Sequence, residues 1–289
     1  MRMLIPTGID WELLVVDNNS TDDTPVVLEE FMSRLPLRCI SERCPGVSNA
    51  RNAAVAQARG AYILWTDDDV LVDLHWLEAY VEAFERHGDA VVFGGPILPW
   101  FEGDPPQWLR SIFADVDVAY AARDFVGGDA PLSDLNMPFG ANMAFRTDVL
   151  KNHTFDVTLG RIAAGMLGGE ETAMIRSLLL DGHTGRWVSG ARVQHYIPRA
   201  RQTTRYLQEW YAGYGRMLVR LDAKSSGAET VRRPRWIWRE VVVSELFYLF
   251  RRMWAPPSVW IRDLKRASTA QGQFKEFAAR QERARDAHQ

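Results

Sequence analysis

Tyr62-Ile63-Leu64-Trp65-Thr66-Asp67-Asp68-Asp69-Val70 is the stretch on which the fold turns. An apolar run stops at three consecutive carboxylates, and apolar residues resume with Val70, Leu71 and Val72. The run has the length of a buried strand and is too short to span a membrane. Adjacent aspartates repel one another, so a cation or a ligand at a strand end would offset their crowding. The same residues also suit a solvated loop that caps a following helix. The flanking sequence decides between the two.

Upstream, residues 11–17 (Trp-Glu-Leu-Leu-Val-Val-Asp) have the near-continuous apolar character of a parallel strand covered on both faces. Asp17 to Pro25, with Asn19 in the turn, is turn and helix-start chemistry and predicts a helix over 26–34. A short strand at 37–41 follows, then a helix over 50–58, capped by Ser48 or Asn49 and stopped by Gly60. Strand, helix, strand, helix, strand in this order predicts a parallel sheet covered by helices. Ligands of such sheets bind outside the carboxyl ends of the strands. Asp17 and Asp67 to Asp69 both fall on that edge, which favours the ligand site over the solvated loop.

Downstream, the pattern predicts a helix over 73–86, a strand over 90–95 and a long excursion over 99–137 with a short helix near 108–113. A strand over 140–146 carries the polar Asn142 among small residues. A glycine-rich turn from Gly165 to Gly169 then feeds Glu170 and Glu171 into the first turn of a helix that runs to 181. Acidic residues there complement the helix dipole whatever else they do. His195 lies near the end of a last strand, where a lone histidine is more often structural than a ligand.

With 289 residues, the chain suits one large domain or a domain with an appendage. A composition 47% apolar and 25% charged is that of a globular protein, and a net charge of −3 argues against a uniform basic field for nucleic acid. Cys39 and Cys44 alone build neither a disulfide framework nor a zinc site, and read as reduced core or loop thiols. No apolar stretch reaches the length of a membrane span, and Met1 to Gly8 lacks a signal-peptide core. A cytoplasmic protein, peripheral at the inner face of the cell membrane, is expected. Residues 201–289 form a helical, aromatic and basic extension to a domain over 1–200. A linker at 224–227 precedes a helix over 236–254 that lines up Trp238, Val242, Leu246, Leu249 and Met253. That helix fits either a membrane interface or a protein surface. Residues 265–289 suit a loose helix or a frayed tail.

Five motifs occur in order: Asp17-Asn-Asn-Ser-Thr-Asp-Asp-Thr; Gly46-x-Ser48-x-Ala50-Arg51-Asn52; Gly60 through Asp69; Gly140-Ala-Asn-Met-Ala-Phe; and Gly168-Gly-Glu170-Glu171-Thr. Together, over roughly residues 10 to 200, they resemble the family 2 inverting glycosyltransferases of the GT-A fold; each alone is weak. The resemblance implies an α/β GT-A fold with a mostly parallel sheet flanked by helices. It implies a nucleotide-diphosphate sugar as donor, first of all a UDP-sugar, with Mn²⁺ or Mg²⁺. The acceptor is a saccharide or lipid-linked hydroxyl, in cell-surface polysaccharide or glycolipid synthesis. It also implies roles. Asp17, with Asn19 in its turn, contacts the nucleobase, and Arg51 the base or diphosphate. Asp69 coordinates the cation, Asp67 lies near the ribose or the cation's waters, and His195 approaches the cation or diphosphate. Asp68 and Asn142 join the substrate-binding set. Glu171 matches the catalytic base, with Glu170 as the alternative because a glutamate stands where the family has an aspartate.

The chain departs from the family pattern at its start. The family opens with a further strand and helix of roughly 30 residues, of which Met3 to Gly8 imitates only a fragment. Either the start site is misassigned or the sheet lacks a central strand, with unpaired backbone. The chain as given is then expected to be unstable or inactive unless something fills the gap. Two rivals stand beside the transferase: an inert nucleotide-sugar-binding remnant of the same fold, and a nucleotidyltransferase. The latter would carry a basic glycine-rich phosphate loop after its first strand, and none is visible.

Overall fold

The computed structural model describes residues 5, 8–159, 169–226, 234 and 236–286. The elements in chain order are β1 (Leu13–Asp17), α1 (Thr24–Met32), β2 (Leu37–Ser41), α2 (Val47–Gln57), β3 (Tyr62–Trp65), β4 (Val70–Val72), α3 (Trp76–Arg86), β5 (Ala90–Gly94) and β6 (Ile97–Phe101). Then come α4 (Gln107–Val116), β7 (Ala130–Pro131), β8 (Met143–Arg146), α5 (Thr147–Leu150), α6 (Glu170–Leu180), β9 (Thr184–Trp187), β10 (Val193–Ile197), α7 (Thr204–Ser226), α8 (Ile237–Arg252) and α9 (Pro257–Asp286). The expected glycine turn at 165–168, most of the Met3-to-Gly8 segment, Gly227, and the tail beyond 286 lie outside the described residues.

The α/β class is the expected one, and the strand directions are mixed. A five-stranded sheet has the order β3-β8-β5-β9-β7. β8 lies antiparallel between β3 and β5, with Ile63 opposite Phe145 and Phe93 opposite Ala144. β9 runs parallel to β5, and β7 antiparallel at the margin. An apolar run carries no sign of direction. The chain reaches β8 without a crossover helix from the loop at the carboxyl edge, so it enters the sheet reversed. β4, β10 and β6 make a second sheet, with β4 and β10 antiparallel. β1 and β2 pair in parallel as a third. Among the described residues, β1 pairs only with β2, and β3 only with β8.

Alternation along the strands splits the core. Val92, Met143 and Phe145 pack toward Ile175 and Leu178 of α6. Phe93 and Ala144 pack toward Trp76, Leu77 and Tyr80 of α3. β3, β5 and β9 share a direction, so the Asp67-to-Asp69 turn, Pro96 and Val188 gather at one edge, where β8 begins beside Asn142.

The chain forms two compact units. One holds residues up to Trp100, 120–159 and 169–196; the other holds Phe101–Ala119 and the residues from Ile197 on. The expected excursion over 99–137 therefore carries elements of its own, and its helix α4 belongs to the second unit. Of the loose helix or frayed tail expected over 265–289, the described residues form the helix: α9, thirty residues long, packs against α7 and α8. Small residues make this possible. A Cβ on Gly272 would come within 1.9 Å of the Ala212 carbonyl oxygen, and one on Gly215 within 2.1 Å of that of Thr269. Both cysteines are free and exposed. Among the described residues, no helix is long and apolar enough to cross a membrane.

Candidate active site

β1 ends in Asp17, whose Oδ1 accepts the Ser20 amide at 2.9 Å. Hydrogen bonds from the Ser20 side chain and backbone hold this carboxyl below its ordinary value. Asn19 follows with φ 63°, a left-handed turn residue. Asn18, which the sequence reading passed over, locks the turn. Its Nδ2 donates to the carbonyls of Glu42 (3.0 Å) and Cys44 (2.7 Å), and its Oδ1 accepts the Gly46 amide at 2.7 Å. The exposed Asp17 turn is thereby fixed against the entry to α2.

That helix starts at Val47 with Gly46 in the cap position and no side-chain cap, so neither Ser48 nor Asn49 caps it. Ser48 is buried, and its Oγ lies 2.9 and 3.1 Å from the carbonyls of Asp156 and Leu159. Asn52 exchanges two hydrogen bonds with the Phe155 backbone. Ser48, Arg51, Asn52 and Val55 stand three or four residues apart, hence on one helix face. The spacing within the Ser48-x-x-Arg51-Asn52 motif was the available signal that this face grips something.

What it grips is the acidic pair. Arg51 is buried; its Nη1 lies 2.6 Å from Glu170 Oε1 and 3.7 Å from Glu171 Oε2. The guanidinium sits 5.9 Å from the ring centre of Trp65 and 5.5 Å from that of Phe155. Gly140 makes the room, since a Cβ there would come within 2.0 Å of Arg51 Nη2. Arg51 was expected on the base or diphosphate; it is engaged with the two glutamates. These occupy the first turn of α6 behind Gly169, whose φ of 99° suits glycine. Burial first, and then the neighbouring Glu171 carboxylate, push Glu170 up to about 8 against the pull of Arg51. Burial thus favours the protonated form of Glu170, and Arg51 holds both side chains of the pair in place.

Trp65 is the last residue of β3, so the acidic pair lies toward the same strand end as the aspartates. Asp67 and Asp68 are exposed, whereas Asp69 turns inward. Its Oδ1 lies 3.2 Å from His195 Nε2, and the other ring nitrogen of His195 is 2.7 Å from the Tyr120 carbonyl oxygen. A carbonyl cannot donate, so Nδ1 is the donor in that hydrogen bond, and Nε2 faces the Asp69 carboxylate. Asp69 and His195 lie side by side, and among the described residues no three His, Cys, Asp or Glu groups converge on one metal position. A carboxylate oxygen beside an imidazole nitrogen is a donor pair that would suit Mn²⁺ or Mg²⁺.

Asn142 is corrected by the structure. It is fully buried, its Oδ1 accepts from Trp76 Nε1 (2.9 Å) and Tyr80 Oη (2.8 Å), and its Nδ2 donates to the carbonyls of Pro96 (3.0 Å) and Ala191 (2.7 Å). Those four bonds exhaust its amide, so it ties elements together beneath the site and has nothing left for a substrate.

The description "Glycosyl transferase family 2" matches residues 2–154. The chain is 23% identical over 209 residues to the succinoglycan biosynthesis protein ExoM of Rhizobium meliloti (strain 1021), covering 71% of this chain and 63% of that protein. It therefore spans less than two thirds of that relative's length. It is 24% identical over 216 residues to the glucosyl-dolichyl phosphate glucuronosyltransferase of Haloferax volcanii, covering 73% of this chain and 67% of that protein. Among solved structures, it is similar to the mannosyltransferase PcManGT from Pyrobaculum calidifontis, solved in complex with GDP-Man and Mn²⁺. There the TM-score is 0.57 at 16% identity, over 92% of this chain and 77% of that one, a likeness of fold. The family match takes in β1, α2, β3 and β8, and so the Asp17 turn, Arg51 and the Asp67-to-Asp69 turn; by that match the chain belongs to glycosyl transferase family 2.

Proposed function

We propose that this protein transfers a sugar from a nucleotide diphosphate, UDP in the first instance, to a hydroxyl of a saccharide or lipid-linked acceptor, with inversion at the anomeric carbon. The product belongs to a cell-surface polysaccharide or glycolipid, and the enzyme works at the inner face of the cell membrane. The observation that carries this reading is the division of labour among carboxylates at one strand end. Asp69 faces His195, while Glu171 lies beside Glu170 and the buried Arg51.

In this reading the Asp17 turn, with Asn19, receives the nucleobase. Asp67 and Asp68 line the ribose and diphosphate side. Asp69 and His195 would hold Mn²⁺ or Mg²⁺, which would offset the charge that develops on the leaving diphosphate. Glu171 takes the proton of the acceptor hydroxyl as its oxygen bonds to the anomeric carbon, and the bond to the diphosphate breaks with its electron pair on the leaving oxygen. Arg51 and Glu170 position Glu171.

The test is a screen of nucleotide sugars for metal-dependent binding and transfer, UDP-sugars first, with the product anomer read by NMR. Asp69→Ala should weaken donor binding and remove its dependence on metal. Glu171→Ala should leave binding nearly intact and lower transfer by about 10²-fold or more. The reverse pattern would overturn the roles. Binding without transfer in the unaltered chain would identify an inert remnant.

A further inference from the structure

We propose that the outer face of α8 docks on an anionic lipid surface and lies in the plane of the bilayer interface. This deepens the membrane placement proposed above by naming the element and the lipid charge it reads.

α8 is built inside out. Toward α9 it turns polar groups: Glu240 pairs with Arg266, Glu245 accepts from Gln271 Nε2 at 3.0 Å, and Arg251 lies 3.2 Å from Asp263. Ser244 is buried among them, with Ile237 and Tyr248 as the apolar anchors. Toward solvent it turns Trp238 (58% exposed), Leu246 (62%), Leu249 (52%), Phe250 (57%) and, just beyond its end, Met253 (75%). A helix that packed only on its own protein would show the opposite arrangement. Scattered exposed apolar residues are normal, but a continuous stripe marks an interaction surface.

Charge selects the occupant. Among the described residues, Arg239 is the exposed charged group within this stripe; Arg252 and the half-buried Glu245, seven residues apart, stand along one margin, where Glu245 is bonded to Gln271. Residues 201–289 hold 18 Lys and Arg against 9 Asp and Glu, whereas residues 1–200 hold 16 against 28. The basic excess therefore sits in the part of the chain that carries the apolar face. A second copy seated on this stripe would set the Arg239 guanidinium groups against a face with no carboxylate within it, whereas anionic headgroups answer them directly. Trp236 and Trp238 at one end and Trp254 at the other supply the indoles that favour the headgroup level.

The experiment is flotation of the full chain with phosphatidylcholine vesicles and with vesicles that also contain phosphatidylglycerol. The chain should float with the anionic vesicles and far less with the neutral ones. Leu246→Ser with Phe250→Ser should lower the apparent partition by about tenfold or more, with unchanged circular dichroism. Acyl-chain-brominated lipid should quench tryptophan fluorescence of the unaltered chain, a reading that needs no variant. Absence of flotation, absence of quenching, equal flotation with neutral vesicles or full flotation of the double variant would each overturn the proposal. So would a dimer in solution that the double substitution dissociates while vesicles go unbound. Donor binding is read in parallel. Donor binding without flotation removes the docking alone, and flotation without donor binding removes the transferase reading alone.

Discussion

Glu170 sits in the first turn of α6 with its carboxyl shut away from water and beside a second carboxylate. The unfolded carboxyl ionises near its ordinary value of 4.5, while the folded one holds its proton up to about 8. The fold therefore favours the protonated form. Its contribution to stability is complete below about pH 4.5 and falls as the pH rises through about 8, by about 1.4 kcal/mol per pH unit at most. Glu170→Gln keeps the shape and removes the titration. Chemical denaturation from about pH 5 to about pH 8 should show the unaltered chain losing stability where the variant stays flatter; equal slopes would place the titration elsewhere. The shift was not legible in the sequence, where Glu171 matches the base position and Glu170 stands as the alternative because a glutamate takes the place of an aspartate. The difference arises from Arg51 and the buried wall around it, which join the pair only through tertiary contact. Asn142 misled for a related reason. A polar residue among small ones at a strand start reads as a binding group, and its four bonding partners come from three separate places in the sequence: α3, Pro96 and Ala191.

At the scale of elements, apolar runs and turn residues gave most strands and helices within a few positions. Directions and small-residue contacts escaped. β8 is antiparallel because of where the chain arrives, which no local pattern encodes. The close packing of α9 escaped because Gly272, Ala267 and Ala270 bury little apolar area yet allow α7 to approach closely. The pairing of β1 makes a sharper prediction. Leu13 donates to Pro36 O and Glu42 to Asp17 O, so the ladder to β2 uses the amides of Leu13, Val15 and Asp17. The amides of Leu14 and Val16 point to the other edge, where no described strand pairs with β1. Hydrogen exchange should find Leu14 and Val16 fast and Leu13 and Val15 protected. Slow exchange at Leu14 and Val16 would mean that this edge is paired in solution.

At the scale of the molecule, the sequence separation of contacts differs between the site and the helices from α7 to α9. Arg51 and Glu170 lie 119 residues apart, Ser48 and Leu159 111, and Asn52 and Phe155 103. The ties among α7, α8 and α9 are shorter: 56 residues for Arg220 and Glu276, and 26 for Glu245 and Gln271. Closing a long loop costs more entropy and slows the contacts that depend on it. On refolding, helical circular dichroism should therefore recover ahead of donor binding, and simultaneous recovery would contradict this order. The face of α2 that grips the acidic pair thus has a temporal meaning. The site's machinery is assembled last, by contacts that must find one another across more than a third of the chain, when the helices from α7 to α9 and the bare apolar side of α8 are already in place. A chain halted midway through folding is adhesive before it is active.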